Sequence, residues 1–381
     1  IKRLTSDNKK YGIFLSGGHD SRLIISSFDI PPTSFTVGFS KNFEAKCAKE
    51  IARKLNTKNI FIKLDKDHFT INLDKITRIC GGQFTFYDAI FTGLDDHYFN
   101  NVDYIFHGHG LDYFFQGMYL PTEYYKILSS PIFFKKHKFQ YMNLNDEFIN
   151  RIKYRIKGFD ITSIYKNQYK KNILDNFKIK IDKIIKESKN FTNDNLDIWE
   201  FIIFHSLGRH YSRANIISKQ SCGKQRTPIF DNDIFNFYLS LKLKHKINSA
   251  VVRHAINSIN PYIGKIPTGN WGFPAGDGPL IKTFKLIFRK ILRIITKNKK
   301  YTAPLLKDRT WPDRELLIKN NIELKNEIRN MFCDTEFKLA INKIDWNKLE
   351  KNSIKWTSNE DGGSSFLIAL LSVYKLFILA K

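Results

Sequence analysis

Over the first 120 residues, short apolar runs alternate with stretches in which apolar residues recur every three or four positions. Tyr11-Gly-Ile-Phe-Leu15 is an apolar run ending at Gly17-Gly18, the form a buried parallel strand takes. Ser21–Phe28 follows with helical spacing. Ser34–Gly38 reads as a second strand after Pro31-Pro32. Phe43–Leu55 reads as a helix with Ala45, Ala48, Ile51, Ala52 and Leu55 on one face. Asn59–Leu64 is a third strand, and Val102–Phe106 another that runs into His107-Gly108-His109-Gly110. Strands alternating with helices predict an α/β fold, a parallel sheet with helices on both faces. Ligands of such sheets bind beyond the carboxyl ends of the strands, where both Gly-rich turns fall. The remainder reads as mainly helical, including the Lys-, Tyr- and Phe-rich residues 120–190 and the periodic stretches 196–217 and 231–260. Residues 261–279 are dense in Pro and Gly and read as a loop. The expected division is a nucleotide-binding core at 1–125, a helical remainder at 126–275 that completes the site, and a helical C-terminal extension at 276–381.

Ser16-Gly17-Gly18-His19-Asp20-Ser21 is the first segment with chemistry in it. Its glycines allow a sharp turn and close approach to a ligand. The amides that open the following helix favour an anion such as pyrophosphate, and Ser16 and Ser21 add hydroxyls. Asp20 repels phosphate unless a cation intervenes, so it reads as a Mg²⁺ ligand. The plain alternative is a Gly-Gly turn with Asp20 as a helix cap. The Lys that follows the glycines in a Walker-type phosphate loop is absent.

The segment SGGHDS matches the SGGxDS signature of the PP-loop ATP pyrophosphatases. Members of that superfamily cleave ATP between its α and β phosphates. The second turn, His107 to Gly117, resembles the SGEGxDExFxGY segment of asparagine synthetases at Gly108, Gly110, Asp112, Phe115 and Gly117. Arg226-Thr-Pro228-Ile-Phe-Asp231 resembles their RxPFLD segment, Val252-Arg253-His-Ala255 their LRxA, and Ile266–Phe273 their KxGF loop. The resemblance covers about residues 11–275. It implies an ATP-dependent, AMP-forming amide ligase with ATP and Mg²⁺ as cofactors. Asp20 and Asp112 would hold the metal, and Leu15, Ser16, Gly17, Gly18, Asp20, Ser21, Val37, Gly38, Gly108 and Gly110 would line the nucleotide. His109, Asp112, Arg226 and Asn270 are the candidate catalytic residues. Four departures bear on substrate: His109 where the family carries Glu, Tyr113 for its second acid, Lys224 for the Glu ahead of the Arg, and Asn270 for the Lys of the KxGF loop. A tRNA-modifying PP-loop enzyme is the second reading, since Gly108-His109 and Asp112 also echo that branch. A degenerate nucleotide-binding domain without turnover is the third.

Composition changes this picture little. Apolar residues make up 42% of the chain, as in ordinary globular proteins, so disorder is not the default. Cys47, Cys80, Cys222 and Cys333 are too scattered for a metal pair or disulfide framework, which fits a reducing cytoplasm. The N-terminal residues Ile1–Thr5 lack a signal-peptide pattern. Ile1 lies shortly before the first strand, so the N-terminal glutaminase of asparagine synthetases is expected to be absent. The nitrogen donor is then ammonia from a separate or truncated glutaminase, or a different amine, and a small carboxylate is the other partner. The net charge of +25 suits an anionic surface or reflects compositional drift. Ile281–Lys300 concentrates it, with eight basic residues and no acid. Its apolar and basic positions separate as in a helix lying on an anionic membrane, with nucleic acid the less favoured partner. Core packing with a solvated basic face is the more common meaning of such a pattern.

Overall fold

The computed structural model describes all residues except 118–119, 128–129, 138–142, 154–160, 208–211, 270–271, 297–310 and 357–362. Five parallel strands form one sheet: β1 (Tyr11–Phe14), β2 (Thr33–Gly38), β3 (Asn59–Lys63), β4 (Tyr104–His107) and, after the hairpin β5 (Thr122–Ile127) and β6 (Ser130–His137), β7 (Lys224–Arg226). Their order is β3-β2-β1-β4-β7. The register sets Phe14 beside Phe35 on one flank and beside His107 on the other. Helices flank the sheet, as α1 (Asp20–Ser26) after β1 and α2 (Phe43–Lys54) after β2. This is the α/β class expected from the alternation of patterns.

Strand periodicity explains the packing, because successive side chains leave opposite faces of the sheet. Phe14, Phe35 and Phe99 cluster on one face, with ring centroids 4.9–6.4 Å apart. Tyr11, Phe28 and Phe106 form a second cluster at 5.0–6.5 Å. Gly12 is required between them, since a Cβ there would come within 2.7 Å of the Phe35 ring. α2 starts where the Asn42 side chain accepts a hydrogen bond from the Ala45 amide at 2.9 Å, a helix cap. It buries Ala45, Cys47, Ala48, Ile51 and Ala52.

The chain forms two compact units. The first comprises residues 1–65, 94–137 and 219–311, and holds the parallel sheet and the hairpin. The second comprises 66–93, 138–218 and 312–381, and its regular elements are helical among the described residues. Phe337 anchors the second, with Trp346, Tyr374 and Phe377 at 5.7, 5.0 and 5.4 Å. Each of the three consecutive sequence segments contributes to both units, because the chain leaves the first unit after β3 and returns to it twice.

Three local expectations are corrected. Residues 122–137 form an antiparallel hairpin within the stretch read as helical. Lys224–Arg226 adds a fifth strand, too short to show a pattern of its own. The loop read over 261–279 contains the helix Pro261–Lys265, started by the Asn260 side chain, which accepts from Tyr262 and Ile263 amides. Pro at the first helical turn loses no hydrogen bond, so Pro261 favours that start.

The basic segment is helical over Pro279–Thr296; residues 297–300 lie outside the described residues. Its apolar side is not core, since Phe284, Phe288 and Ile295 are 61–72% exposed. The inward side is the basic one: Lys285 pairs with Asp277 at 2.6 Å. Arg289 donates to the Gly272 carbonyl at 3.0 Å and lies over the Phe273 ring at 4.3 Å. Among the described residues no helix is long and apolar enough to cross a membrane.

Candidate active site

The two Gly-rich turns meet because β1 and β4 are neighbours in the sheet. After β1, the Leu15 amide donates to the Phe35 carbonyl at 2.8 Å and the Thr36 hydroxyl to the Leu15 carbonyl at 2.8 Å, so Leu15 stays tied to β2. Val37 and Gly38 end β2 on the same side. The turn itself is closed internally: the Gly18 amide donates to Ser16 Oγ at 3.1 Å, and the Ser16 amide to Ser21 Oγ at 3.0 Å. Gly17 lets the turn rest on α2, since a Cβ would meet the Glu44 carbonyl at 3.0 Å. Gly108 permits the decisive contact. A Cβ there would fall 2.4 Å from the Ser21 amide nitrogen and 2.5 Å from the Asp20 carbonyl carbon. Gly110, at φ +101, starts the helix Leu111–Phe115, which carries Asp112.

This contact brings Asp20 and Asp112 within electrostatic reach of each other. Burial, and next the charge of Asp112, hold the Asp20 carboxyl well above the ordinary carboxylate range. The Gln116 amide opposes this by donating to Asp20 Oδ1 at 2.5 Å. Two half-buried carboxyl groups in one place favour a cation between them. Among the described residues no group of three or more Asp, Glu, His or Cys surrounds such a position. That donor set suits Mg²⁺, which takes one or two carboxylates and completes its shell with phosphate oxygens and water.

Beneath the first turn, Arg22 is fully buried. Its guanidinium donates to the carbonyls of Gly17, Ile263, Ile266 and Pro267 at 2.6–3.1 Å. The Gly269 amide adds a bond to the Gly17 carbonyl at 3.0 Å. Together they lash the segment after residue 260 to the phosphate-loop candidate. His19 sits in the same joint, its Nε2 donating to the Ala275 carbonyl at 3.1 Å. Burial, then the charges of Lys282 and Arg22, push His19 down to about 3, so its ring is neutral. Lys282 is itself pushed down to about 8 by burial and by Arg253. The cationic side of the basic helix therefore faces this joint.

His107 and His109 have different surroundings. His107 is buried, with Nε2 3.0 Å from both Gln225 Oε1 and Thr227 Oγ1. The His109 amide donates to His107 Nδ1 at 3.3 Å, which places the proton on Nε2. Burial, then Lys219, push His107 down to about 3, leaving a neutral ring that joins β4 to β7. His109 is half-buried and packs edge-on against Tyr113 at 6.0 Å. Lys219, at the end of the helix Ser212–Gln220, is pushed down to about 7 by burial. Between that value and the roughly 10.4 of a free lysine, the unfolded chain holds a proton the folded chain lacks, so stability rises with pH across the window. Urea midpoints at pH 6, 8 and 10 should show the Lys219→Met variant's advantage over the parent shrinking as pH rises. A pH-independent difference would contradict the assigned burial.

The structure does not bring Arg226 to this cluster. Its guanidinium turns to the opposite end of the sheet, where it pairs with Asp7 at 2.5 Å, donates to the Leu4 carbonyl and covers the Tyr104 ring at 3.9 Å. Asp231 caps the helix Asn232–Ser240 and pairs with Arg3. Lys224 is exposed at the start of β7. Asn270 lies outside the described residues. Arg22, Gln116 and Lys282 were not anticipated as site residues. Arg22 had a signal: it shares the buried side of a short helix with Ile25 and Ser26, three and four positions on.

The asparagine synthase family model matches residues 1–293. The match spans both Gly-rich turns, β7, the 261–276 segment and most of the basic helix, and so the whole site. No curated protein matches the chain. With more than half its length matched and its paired carboxylates at the ends of β1 and β4, the chain belongs to the asparagine synthase family.

Proposed function

We propose that the chain joins a carboxylate to ammonia or an amine through an acyl-adenylate, using ATP. Family membership supports ATP-dependent ligation; the AMP-forming chemistry is the finer reading. In it, a substrate carboxylate oxygen attacks the α-phosphorus, and the bond to the bridging oxygen breaks as pyrophosphate leaves. The amine then attacks the acyl carbon, AMP leaves, and the nitrogen loses a proton. The observation that carries this reading is the half-buried pair Asp20 and Asp112, whose charges interact where the two Gly-rich turns meet.

Mg²⁺ held by that pair would screen the charge of the departing pyrophosphate. The other groups belong to the chain. Ser16 and Ser21 exchange their internal bonds for phosphate oxygens. Arg22 and Lys282 supply positive charge behind the turn. His109 stands on the turn that bears Asp112, and on this reading it contacts the substrate. The small carboxylate and the amine are the proposed partners.

Asp20→Asn and Asp112→Asn keep the side-chain shape and remove the metal-binding charge. Each is expected to lower ATP–pyrophosphate exchange, assayed with a panel of amino-acid carboxylates, by ~10³-fold, since metal screening supplies several kcal/mol and about 1.4 kcal/mol is tenfold in rate. Near-parental exchange in either variant would sink the two-carboxylate reading.

A further inference from the structure

We infer that Gln116 is a positioning residue that presents Asp20 to the cation, held in turn by Ser249. The inference rests on the reading of Asp20 and Asp112 as cation ligands. The Gln116 NH₂ donates to Asp20 Oδ1 at 2.5 Å, the arrangement that suits the cation-bound state, in which the carboxylate is ionised and only accepts hydrogen bonds. The opposite end, Oε1, then faces Ser249, whose hydroxyl donates to it at 3.2 Å. A chain of two hydrogen bonds thus runs from Ser249 through Gln116 to Asp20. It occupies one carboxylate oxygen and leaves the other for a cation.

The backbone around this chain is built for it. Gln116 directly follows the helix Leu111–Phe115, which carries Asp112, so one element addresses both carboxylates. Gly117 comes next at φ +63, where a Cβ would press on the Lys246 carbonyl and Ile247 at 3.0 Å. That close approach docks the Gln116 turn onto the segment bearing Ser249. Asn248 and Ser249 both adopt the left-handed region, at φ 57 and 53. Two consecutive non-glycine residues there are uncommon, and such strain gathers where a side chain must be aimed. Here the aimed group is the Ser249 hydroxyl. Ser249 also begins the helix Ala250–Ile259. Partners that orient a metal's ligands typically set its affinity by 10–100-fold.

The test uses the full chain with a non-hydrolysable α,β-methylene ATP analogue and Mn²⁺ as the probe, with free Mn²⁺ read by electron paramagnetic resonance. Gln116→Leu is expected to weaken Mn²⁺ binding by roughly 10–100-fold, while affinity for the analogue without metal stays as in the parent. Ser249→Ala is expected to weaken it less, and to have no effect in the Gln116→Leu background, because its influence passes through the amide. Parental Mn²⁺ affinity in Gln116→Leu, or a Ser249→Ala effect that persists in that background, overturns the inference. If Gln116→Leu does not fold, Ser249→Ala alone decides: weaker Mn²⁺ binding supports the relay and unchanged binding overturns it. Asp20→Asn and Asp112→Asn measured in parallel separate the two levels. If they too leave Mn²⁺ binding intact, the carboxylate reading itself has failed; if they abolish it while Gln116→Leu does not, only the positioning role has.

Discussion

Gly108→Ala is expected to destabilise the first unit by roughly 3 kcal/mol and to abolish pyrophosphate exchange. Overpacking a filled site usually costs ~1–3 kcal/mol, and here the obstacle is backbone. The new Cβ would meet the Ser21 nitrogen at 2.4 Å and the Asp20 carbonyl carbon at 2.5 Å. Neither atom can rotate aside as a side-chain tip does. Relief requires the start of α1 to part from the end of β4, which separates Asp20 from Asp112. Urea unfolding reports the stability change and ATP–pyrophosphate exchange the chemistry. An alanine variant of parental stability and exchange would show that the two turns do not need to touch.

Arg22→Met is expected to cost about 2 kcal/mol in stability and to loosen residues 261–276. Methionine fills similar volume but donates nothing to the carbonyls of Gly17, Ile263, Ile266 and Pro267. Each buried acceptor left unpaired costs ~1–3 kcal/mol. Two effects offset part of that. The Gly17, Ile263 and Ile266 carbonyls keep bonds from the Gly269, Ile266 and Ala275 amides, and the variant no longer buries a cation, a burial that pushes Arg22 down to about 10. Amide hydrogen exchange over 261–276 should accelerate, and nucleotide binding should weaken with it. Arg22→Lys should fall between, since one ammonium cannot span four carbonyls in the plane a guanidinium reaches. Protection of 261–276 unchanged in Arg22→Met would mean that another contact holds this segment to the turn.

Much of the sheet was legible because its central strands β1, β2 and β4 are buried on both faces. Such strands read as continuous apolar runs, and the glycines after β1 and β4 mark where the backbone must turn. The hairpin was not legible for the complementary reason. Thr122-Glu-Tyr-Tyr-Lys-Ile127 mixes polar and aromatic residues without clean alternation, and Leu128-Ser129 carries no Asn-Gly or Gly-Gly signal. The basic helix was legible as a helix, but not in its orientation. Its periodicity separates an apolar from a basic side, and both orientations satisfy that pattern. Asp277, the Gly272 carbonyl and the Phe273 ring decide it, by engaging Lys285 and Arg289.

The site divides in the same way. By itself, the sequence determined the α/β class and the two Gly-rich turns, because a strand, a tight turn and a helix start are encoded within a few neighbouring residues; the resemblance to asparagine synthetases then singled out Asp112 beside Asp20. Only the tertiary structure decided which of the remaining residues serve that pair. Arg226 lies in a segment resembling a family motif, yet its side chain runs back to Asp7 at the far end of the sheet. Gln116 and Arg22 resemble no motif, yet one bonds Asp20 and the other fastens the turn to the 261–276 segment. The physical reason is the strand order: β2 and β3 separate β1 from β4 in the chain, but the sheet sets β1 directly beside β4. Which atoms then meet depends on register and on absent Cβ atoms, and no local pattern of apolar and polar residues records either.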